Sequence, residues 1–214
     1  MESGLKGRKV AILATDGVEQ VELEQPRRAL DAAGAVTHLI GLKEGSIQAM
    51  NHDEKGARLP VDRVIGEVRA QDYDALLLLG GVANPDTLRT NAQAVQFARE
   101  FMLSDRPVAA ICHGPWLLVE AGAVAGRTLT SWPSLKTDIQ NAGGEWVDEE
   151  CRVDDRLVTS RKPADLPKFC ATIVKEFASG IEQAKVDATS EQSFPASDPP
   201  PGPSAIGGDG AARA

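Results

Sequence analysis

The amino-acid sequence predicts a single α/β domain built on a doubly wound, mainly parallel sheet with helices on both faces. Short apolar runs alternate along the chain with segments of helical periodicity, an order typical of this class. Several runs are apolar at nearly every position, as in strands that are covered on both faces. A length of 214 residues with 42% hydrophobic content is enough for one such core.

Apolar runs that end in polar or glycine-containing turns predict the strands. The run at residues 74–79 (DALLLL) is the clearest, and Gly80 and Gly81 follow it. The segment 42–72 is mixed in period and rich in charge, and we assign to it short strands and one helix. The other predicted strands are residues 8–14, 36–41 and 107–111, with a hairpin over 151–160.

Apolar residues at helical spacing predict five helices between these strands. Gly34 and Gly122 stand where two of the helices should end, since glycine readily adopts the conformation that closes a helix. The predicted helices are residues 18–33, 92–103, 113–121, 135–142 and 166–177. Residues 1–181 therefore form the α/β domain.

The composition changes at residues 182–214, which are rich in Ser, Pro, Gly and Ala. A segment with so few apolar side chains cannot bury enough surface to order itself, and we expect it to be a disordered tail. We find no internal repeat.

The net charge of −8 argues against binding to nucleic acid or to an anionic membrane surface. The sequence lacks a signal peptide and an apolar run of membrane-spanning length, so we expect a cytoplasmic protein. The three cysteines, Cys112, Cys151 and Cys170, are too few and too widely spaced for a disulfide framework or a zinc site. We expect reduced thiols, with no metal and no cofactor.

Cys112 stands at the turn between a predicted buried strand and a predicted helix. Such an elbow projects a side chain into the crevice at the carboxyl ends of the strands, beside the positive end of the helix dipole. Gly114 permits a tight turn, and Pro115 suits the first helical turn. The pattern indicates a reactive thiol with stabilised thiolate, although a free cysteine is more often only a buried packing residue.

Other strand ends bring candidate partners to the same crevice. His113 is a candidate acid or base, and Gly80 and Gly81 can offer backbone N–H groups to an oxyanion. Glu19 follows the first strand, and close to the thiol it should be protonated, because two negative charges would repel. A neutral carboxyl could then donate a hydrogen bond to the sulfur. The non-functional alternatives are a loop-forming glycine pair and a helix-terminal charge.

The motif at residues 109–115 (AAICHGP), preceded by ALLLLGG at residues 75–81, resembles the DJ-1/PfpI superfamily, in particular its intracellular protease-like (PfpI) branch. Several ordered blocks along one chain are more specific than a lone Cys-His pair. Further similar blocks are GRTLTSWP (126–133), NAGGEWV (141–147) and LVTSRKPADL (157–166).

The resemblance implies a flavodoxin-like fold of the class I glutamine amidotransferase type. It also implies Cys112 as nucleophile, His113 as its catalytic neighbour and Glu19 as the carboxyl that hydrogen-bonds the thiol. Asp86 matches an acidic residue that orients the histidine of a neighbouring subunit, so a homodimer or larger assembly is expected.

The sequence departs from the family pattern at two positions. Leu79 replaces a proline that commonly precedes the glycines, and Trp132 replaces a tyrosine of the archaeal proteases. We expect Trp132 to line the substrate site with Gly80 and Gly81. Without the tyrosine hydroxyl, proteolysis is less well supported.

The leading functional hypothesis is a stress-response cysteine enzyme that acts on reactive carbonyls, as a glyoxalase III or as a deglycase of proteins or nucleotides. The alternatives are an intracellular cysteine peptidase and a redox-sensing or chaperone-like stress protein with an oxidisable Cys112. A glutamine amidotransferase would need a histidine nearer the C-terminal end, whereas His113 is the last of three.

Overall fold

The structure is a computed structural model that describes residues 4–192 of the chain. Its strands are β1 (Lys9–Leu13), β2 (Val36–Gly41), β3 (Ser46–Asn51), β4 (Glu54–Pro60), β5 (Arg63–Val64), β6 (Ala75–Leu78), β7 (Val108–Ile111), β8 (Thr128–Leu129), β9 (Glu145–Trp146), β10 (Cys151–Asp154) and β11 (Leu157–Ser160). Its α-helices are α1 (Gln20–Ala32), α2 (Ala83–Arg89), α3 (Ala92–Met102), α4 (Pro115–Glu120), α5 (Lys136–Asn141) and α6 (Leu166–Gln192).

A seven-stranded sheet forms the centre of the molecule, in the order β10-β11-β7-β6-β1-β2-β5. All neighbouring strands are parallel except the β10–β11 hairpin, in which Cys151 lies opposite Ser160. The strand order reverses at β1, with β2 on one side and β6 on the other. This is the flavodoxin-like, doubly wound arrangement, and the predicted fold class is confirmed.

Both faces of the sheet are buried, which explains the continuous apolar runs. In β1, Val10 and Ile12 face one core cluster, while Ala11 and Leu13 face the other. Helices α1 and α6 supply the first cluster with Leu23, Leu30, Phe169, Ile173 and Phe177. Helices α2 to α5 supply the second cluster with Leu88, Phe97, Phe101, Leu117 and Ile139.

The segment 42–72 contains no α-helix, and the helix that we predicted there is wrong. The segment instead forms the antiparallel hairpin β3–β4, the short strand β5 and two 3₁₀ turns. The hairpin lies beside the start of α1, where the Met50 N–H donates to the Val18 carbonyl at 2.7 Å. This contact brings the end of β3 to the rim of the sheet.

The sequence patterns also missed α2, because the segment ANPDTLR contains one large apolar residue and a proline. The closing helix, predicted to end at residue 177, continues to Gln192. The first part of the predicted tail, residues 182–192, is therefore helical, and residues 193–214 lie outside the described residues. Within residues 4–192 no helix is long and apolar enough to cross a membrane.

Candidate active site

The carboxyl ends of β1, β6 and β7 meet where the strand order reverses, the position at which doubly wound proteins bind ligands. A cavity of about 640 Å³ opens there. Its lining residues come from the loop after β1, the start of α1, the β3–β4 hairpin and the segments that follow β6, β7, β8 and β11. They are Gly17, Glu19, Glu22, Met50, His52, Asp53, Gly81, Val82, Ala83, Cys112, His113, Trp132 and Pro163.

Cys112 lies at the elbow between β7 and α4 with a φ of 60°, in the left-handed region that non-glycine residues seldom adopt. Its N–H donates to the Ser160 carbonyl at 3.0 Å, and the side chain is 6% exposed. From the sequence we expected Gly114 to adopt the unusual backbone conformation of the turn, but Gly114 has ordinary helical angles. Gly114 is needed for space, because a Cβ there would lie 2.8 Å from the Leu78 carbonyl oxygen.

The carboxyl that hydrogen-bonds the Cys112 thiol is Glu22, and our assignment of this contact to Glu19 is corrected. Glu22 lies in the first turn of α1, is fully buried, and also accepts the Gly80 N–H at 3.0 Å through Oε2. Its Oε1 has no hydrogen-bond partner among the described residues. Glu22 therefore lies directly against the sulfur with one oxygen unsatisfied.

Glu19 lines the same cavity without this contact to the thiol. It is the N-cap of α1 in an extended conformation, and its backbone pairs with Met50 of β3. Its Oε2 accepts the His52 N–H at 3.1 Å. The pairing with β3 thus turns the Glu19 carboxylate toward the hairpin, one helical turn away from Glu22.

Burial sets the protonation of the thiol and its carboxyl partner. Desolvation, with a further contribution from the nearby Glu19 charge, raises the pKa of Glu22 from 4.5 to about 8. Burial and the Glu22 carboxyl also raise the pKa of Cys112 well above its ordinary value. At neutral pH the pair therefore holds a carboxylic acid and a thiol, whereas the sequence had suggested thiolate.

His113 bridges the thiol and the loop after β8. Its Nδ1 lies 3.2 Å from Cys112 Sγ, and its Nε2 lies 3.3 Å from the Ser134 hydroxyl. The ring stacks on Trp132 with a centroid distance of 5.9 Å and meets Trp116 edge-on at 5.2 Å. Desolvation lowers the pKa of His113 below 6.5, so the imidazole is neutral at pH 7.

The backbone N–H groups of Gly81 and His113 lie near the sulfur, and both favour its ionised form. The Gly80 N–H is not free for an oxyanion, because it donates to Glu22. Trp132 lies on the cavity wall and is 39% exposed. Of the expected oxyanion and substrate residues, Gly81 and Trp132 thus line the cavity, while Gly80 supports Glu22.

Asp86 is exposed on α2 and does not line the cavity. Its proposed action on the histidine of a neighbouring subunit stays a prediction. Cys151 and Cys170 are free, half-buried thiols that pack against the core cluster of α1 and α6.

Sequence reasoning missed three residues that build the site. Glu22 is one of seven polar residues of the amphipathic α1, so the pattern did not single it out, and Ser134 had no motif of its own. Asn84 is fully buried, accepts the Thr15 N–H at 2.8 Å, and donates to the carbonyls of Leu79 and Gly80. It thereby fixes the ends of β1 and β6 to each other, a role that no local pattern could reveal.

Two proteins with curated descriptions are similar to this chain over most of their length. General stress protein 18 of Bacillus subtilis is 41% identical over 164 residues, which cover 76% of this chain and 94% of the relative. An uncharacterized protein of Staphylococcus aureus is 42% identical over 171 residues, covering 79% of this chain and 98% of the relative.

Solved structures share the fold. A two-domain protein of Anabaena variabilis with DJ-1/ThiJ/PfpI-like and ferritin-like domains aligns with a TM-score of 0.74 and 33% identity, over 78% of this chain and 47% of that chain. Drosophila melanogaster DJ-1beta aligns with a TM-score of 0.73 and 24% identity, over 86% of this chain and 98% of that chain. The DJ-1/PfpI family model matches residues 8–176. The chain belongs to the DJ-1/PfpI family.

Proposed function

We propose that this protein is a stress-response enzyme that hydrolyses or isomerises reactive carbonyl compounds through Cys112, without a cofactor. The observation that carries the proposal is the group of side chains and N–H groups around the Cys112 sulfur. They are the neutral His113 imidazole at 3.2 Å, the protonated Glu22 carboxyl and two backbone N–H groups. The name of the Bacillus subtilis relative, general stress protein 18, supports the stress context. We further propose that the protein acts in the cytoplasm as a homodimer or larger assembly.

The first step would be addition of the thiol to an aldehyde carbon. His113 Nδ1 can take the thiol proton as the C–S bond forms, because the imidazole is neutral and adjacent. Glu22 holds a proton at neutral pH and can deliver it to the carbonyl oxygen. The product is a hemithioacetal, and the N–H groups of Gly81 and His113, which lie near the sulfur, would stabilise the developing negative charge.

With methylglyoxal as substrate, the remaining steps need only acid–base chemistry. A base takes the proton from the carbon that bears sulfur, and a proton returns to the neighbouring carbon, which leaves a thioester. Water then cleaves the thioester, releasing lactate and the Cys112 thiol. The net reaction adds water to methylglyoxal and involves no external oxidant or reductant, so the proposed reaction requires no redox cofactor.

Ser134 is proposed as the residue that positions His113. Its hydroxyl contacts Nε2 at 3.3 Å, on the side of the ring away from the thiol. A hydroxyl, unlike a carboxylate, adds no charge that would favour the imidazolium form. A neutral His113 is suited to act as the base that accepts the thiol proton. The intracellular peptidase alternative, in which an acidic residue orients the histidine, is therefore less favoured in this proposal.

A second candidate function is redox sensing, in which oxidation of Cys112 is the event that matters. It is favoured by the protonated Glu22, since a neutral carboxyl can donate a hydrogen bond to a sulfenate or sulfinate oxygen. Selective peroxide oxidation of Cys112, in a protein that turns over neither carbonyls nor peptides, would favour this function.

The test compares lactate formation from methylglyoxal by the wild type with that by Cys112→Ser, Glu22→Gln and Glu24→Gln. The first two variants should lose at least about 100-fold in rate, the scale of a missing nucleophile or acid–base group. Glu24→Gln is the matched control, because Glu24 pairs with Arg28 on the exposed side of α1. Peptide cleavage that depends on Cys112, without lactate formation, would overturn the proposal in favour of the peptidase.

A further inference from the structure

The charges that line the cavity all have one sign. Three of its residues carry carboxyl groups, Glu19, Asp53 and the protonated Glu22, and neither lysine nor arginine occurs among the described lining residues. The rest of the wall is apolar or aromatic, with Met50 and Trp132 its largest such side chains. A positively charged anchor for a carboxylate or phosphate is therefore missing from this wall.

The three carboxyl groups lie at different depths. Glu22 lies in the buried base, where its Oε1 has no hydrogen-bond partner among the described residues. Glu19 is 8% exposed, and among the described residues its carboxylate accepts a hydrogen bond only from the His52 N–H. Asp53 is exposed on the hairpin turn beside His52. Within the described part of the chain, neither Glu19 nor Asp53 forms an ion pair.

A cleft lined by charges of one sign concentrates the opposite charge and repels its own, because low-dielectric walls focus the field. An anion that approached Cys112 would pass Asp53 and Glu19 and would lose hydration without gaining a cationic partner. A neutral carbonyl meets no such barrier, and a cationic group would gain from the two carboxylates.

We propose that the Cys112 cavity selects neutral and cationic carbonyl substrates and excludes anionic ones, with Glu19 and Asp53 as the residues that determine this specificity. The inference rests on the proposed function for the chemistry at Cys112, and it adds the charge class of the substrate. Conversion of a neutral dicarbonyl to a hydroxy acid would then create an anion inside an acidic cavity. The negative potential of the cavity does not oppose entry of a neutral substrate, but it repels the anionic product and therefore favours its release.

The charge selectivity can be measured without any turnover, through the rate at which Cys112 reacts with methanethiosulfonate reagents. The thiolate attacks the sulfenyl sulfur, a mixed disulfide forms, and methanesulfinate leaves. The trimethylammonium-ethyl and sulfonato-ethyl reagents differ in charge, and the neutral methyl reagent serves as reference. Peptide mass analysis separates Cys112 from Cys151 and Cys170, and each rate is divided by the rate for free 2-mercaptoethanol.

We expect the cationic reagent to modify Cys112 at least about tenfold faster than the anionic one after this correction. The ratio should fall several-fold in Glu19→Gln and in Asp53→Asn, and it should fall in all proteins as salt is added. The control is Asp105→Asn, which also removes one negative charge. Asp105 lies in the turn before β7, at the end of the strands opposite to Cys112. The Asp105→Asn variant should keep the wild-type ratio within about twofold, since salt screens the Asp105 charge at its distance from Cys112.

A corrected ratio near one, or a ratio that changes equally in Asp105→Asn and Asp53→Asn, would overturn the inference. Failure of all three reagents to modify Cys112 would overturn it as well, because the thiol would not be reachable through the cavity. These results differ from failure of the proposed function, which would appear as charge-selective labelling of Cys112 in a protein that forms no lactate.

Discussion

Glu22 and Cys112 form one coupled acid–base unit at the base of the cavity. Both groups are buried; burial raises the pKa of each, the Cys112 thiol partly offsets this rise for Glu22, and the Glu22 carboxyl raises the pKa of Cys112 further. Loss of a second proton from the pair is therefore disfavoured. The unit provides a carboxylic acid beside a thiol near neutral pH. Which of the two groups loses the first proton decides how reactive the sulfur is.

The Glu22→Gln substitution tests this coupling. Above pH 8 wild-type Glu22 is ionised and its charge opposes formation of the thiolate, whereas glutamine stays neutral. We expect the variant to react with iodoacetamide at Cys112 about tenfold faster than the wild type at pH 9, because a lower thiol pKa increases the fraction of thiolate. Equal rates at pH 9, measured by peptide mass analysis, would mean that the two groups are not coupled.

The Ser134→Ala substitution tests the positioning of His113. Loss of the hydroxyl leaves Nε2 without its partner and lets the ring turn on its Trp132 contact. We expect kcat for methylglyoxal to fall about tenfold, with little change in KM, because the defect lies in proton transfer. Threonine at this position keeps a hydroxyl and should restore the rate. A rise in KM at constant kcat would instead indicate a substrate-binding role for Ser134.

At the scale of elements, the elbow between β7 and α4 depends on a close approach of backbones. A Cβ at Gly114 would lie 2.8 Å from the Leu78 oxygen and 2.9 Å from the Ile111 oxygen, and neither is a flexible side chain. The turn can hold Cys112 at positive φ only while β6 and β7 stay in contact with it.

The Gly114→Ala substitution should therefore lower the free energy of unfolding by about 2 to 3 kcal/mol, the usual cost of overpacking at a site that cannot relax. The control is Gly66→Ala, where a Cβ would meet only the Gln93 side chain at 3.5 Å, an ordinary contact. That change should stay within about 0.5 kcal/mol in urea unfolding experiments. Similar costs for both variants would show that the elbow is not tightly packed.

Elements buried on both faces were the ones that the sequence predicted well. Strands β6 and β7 lie within their predicted runs, because burial on both faces makes every position apolar. Strand β2 also has the predicted bounds, although Thr37 and His38 interrupt its apolar run. Helix α2 has no such pattern, since Asn84 and Pro85 occupy two of its three buried positions. The position of Cys112 followed from its elbow, whereas the choice between Glu19 and Glu22 depended on where α1 begins.

At the scale of the whole molecule, the buried Glu22 links stability to pH. Its pKa is about 8 in the folded protein and near 4.5 when exposed, so the folded state binds more protons between these values. The contribution of Glu22 to the free energy of unfolding is fully present below about pH 4.5, and it is lost as the pH rises toward 8.

Glutamine imitates the protonated acid at all pH values, so Glu22→Gln should abolish this contribution to the pH dependence. We expect the variant to gain stability relative to the wild type as the pH rises from 5 to 9, by at most about 4 kcal/mol. Urea unfolding at several pH values measures the difference, and Glu24→Gln gives the baseline. A difference between the Glu22→Gln and wild-type proteins that did not change with pH would contradict the raised pKa.

The central claim is that Cys112 is a nucleophile that binds the carbonyl carbon covalently. The most direct measurement mixes the wild-type protein with methylglyoxal, quenches the reaction with acid after short times, and follows the mass of the peptide that contains Cys112. The account predicts an adduct on Cys112 that appears before lactate and decays as lactate is released. Lactate formed at the wild-type rate by Cys112→Ser would contradict it.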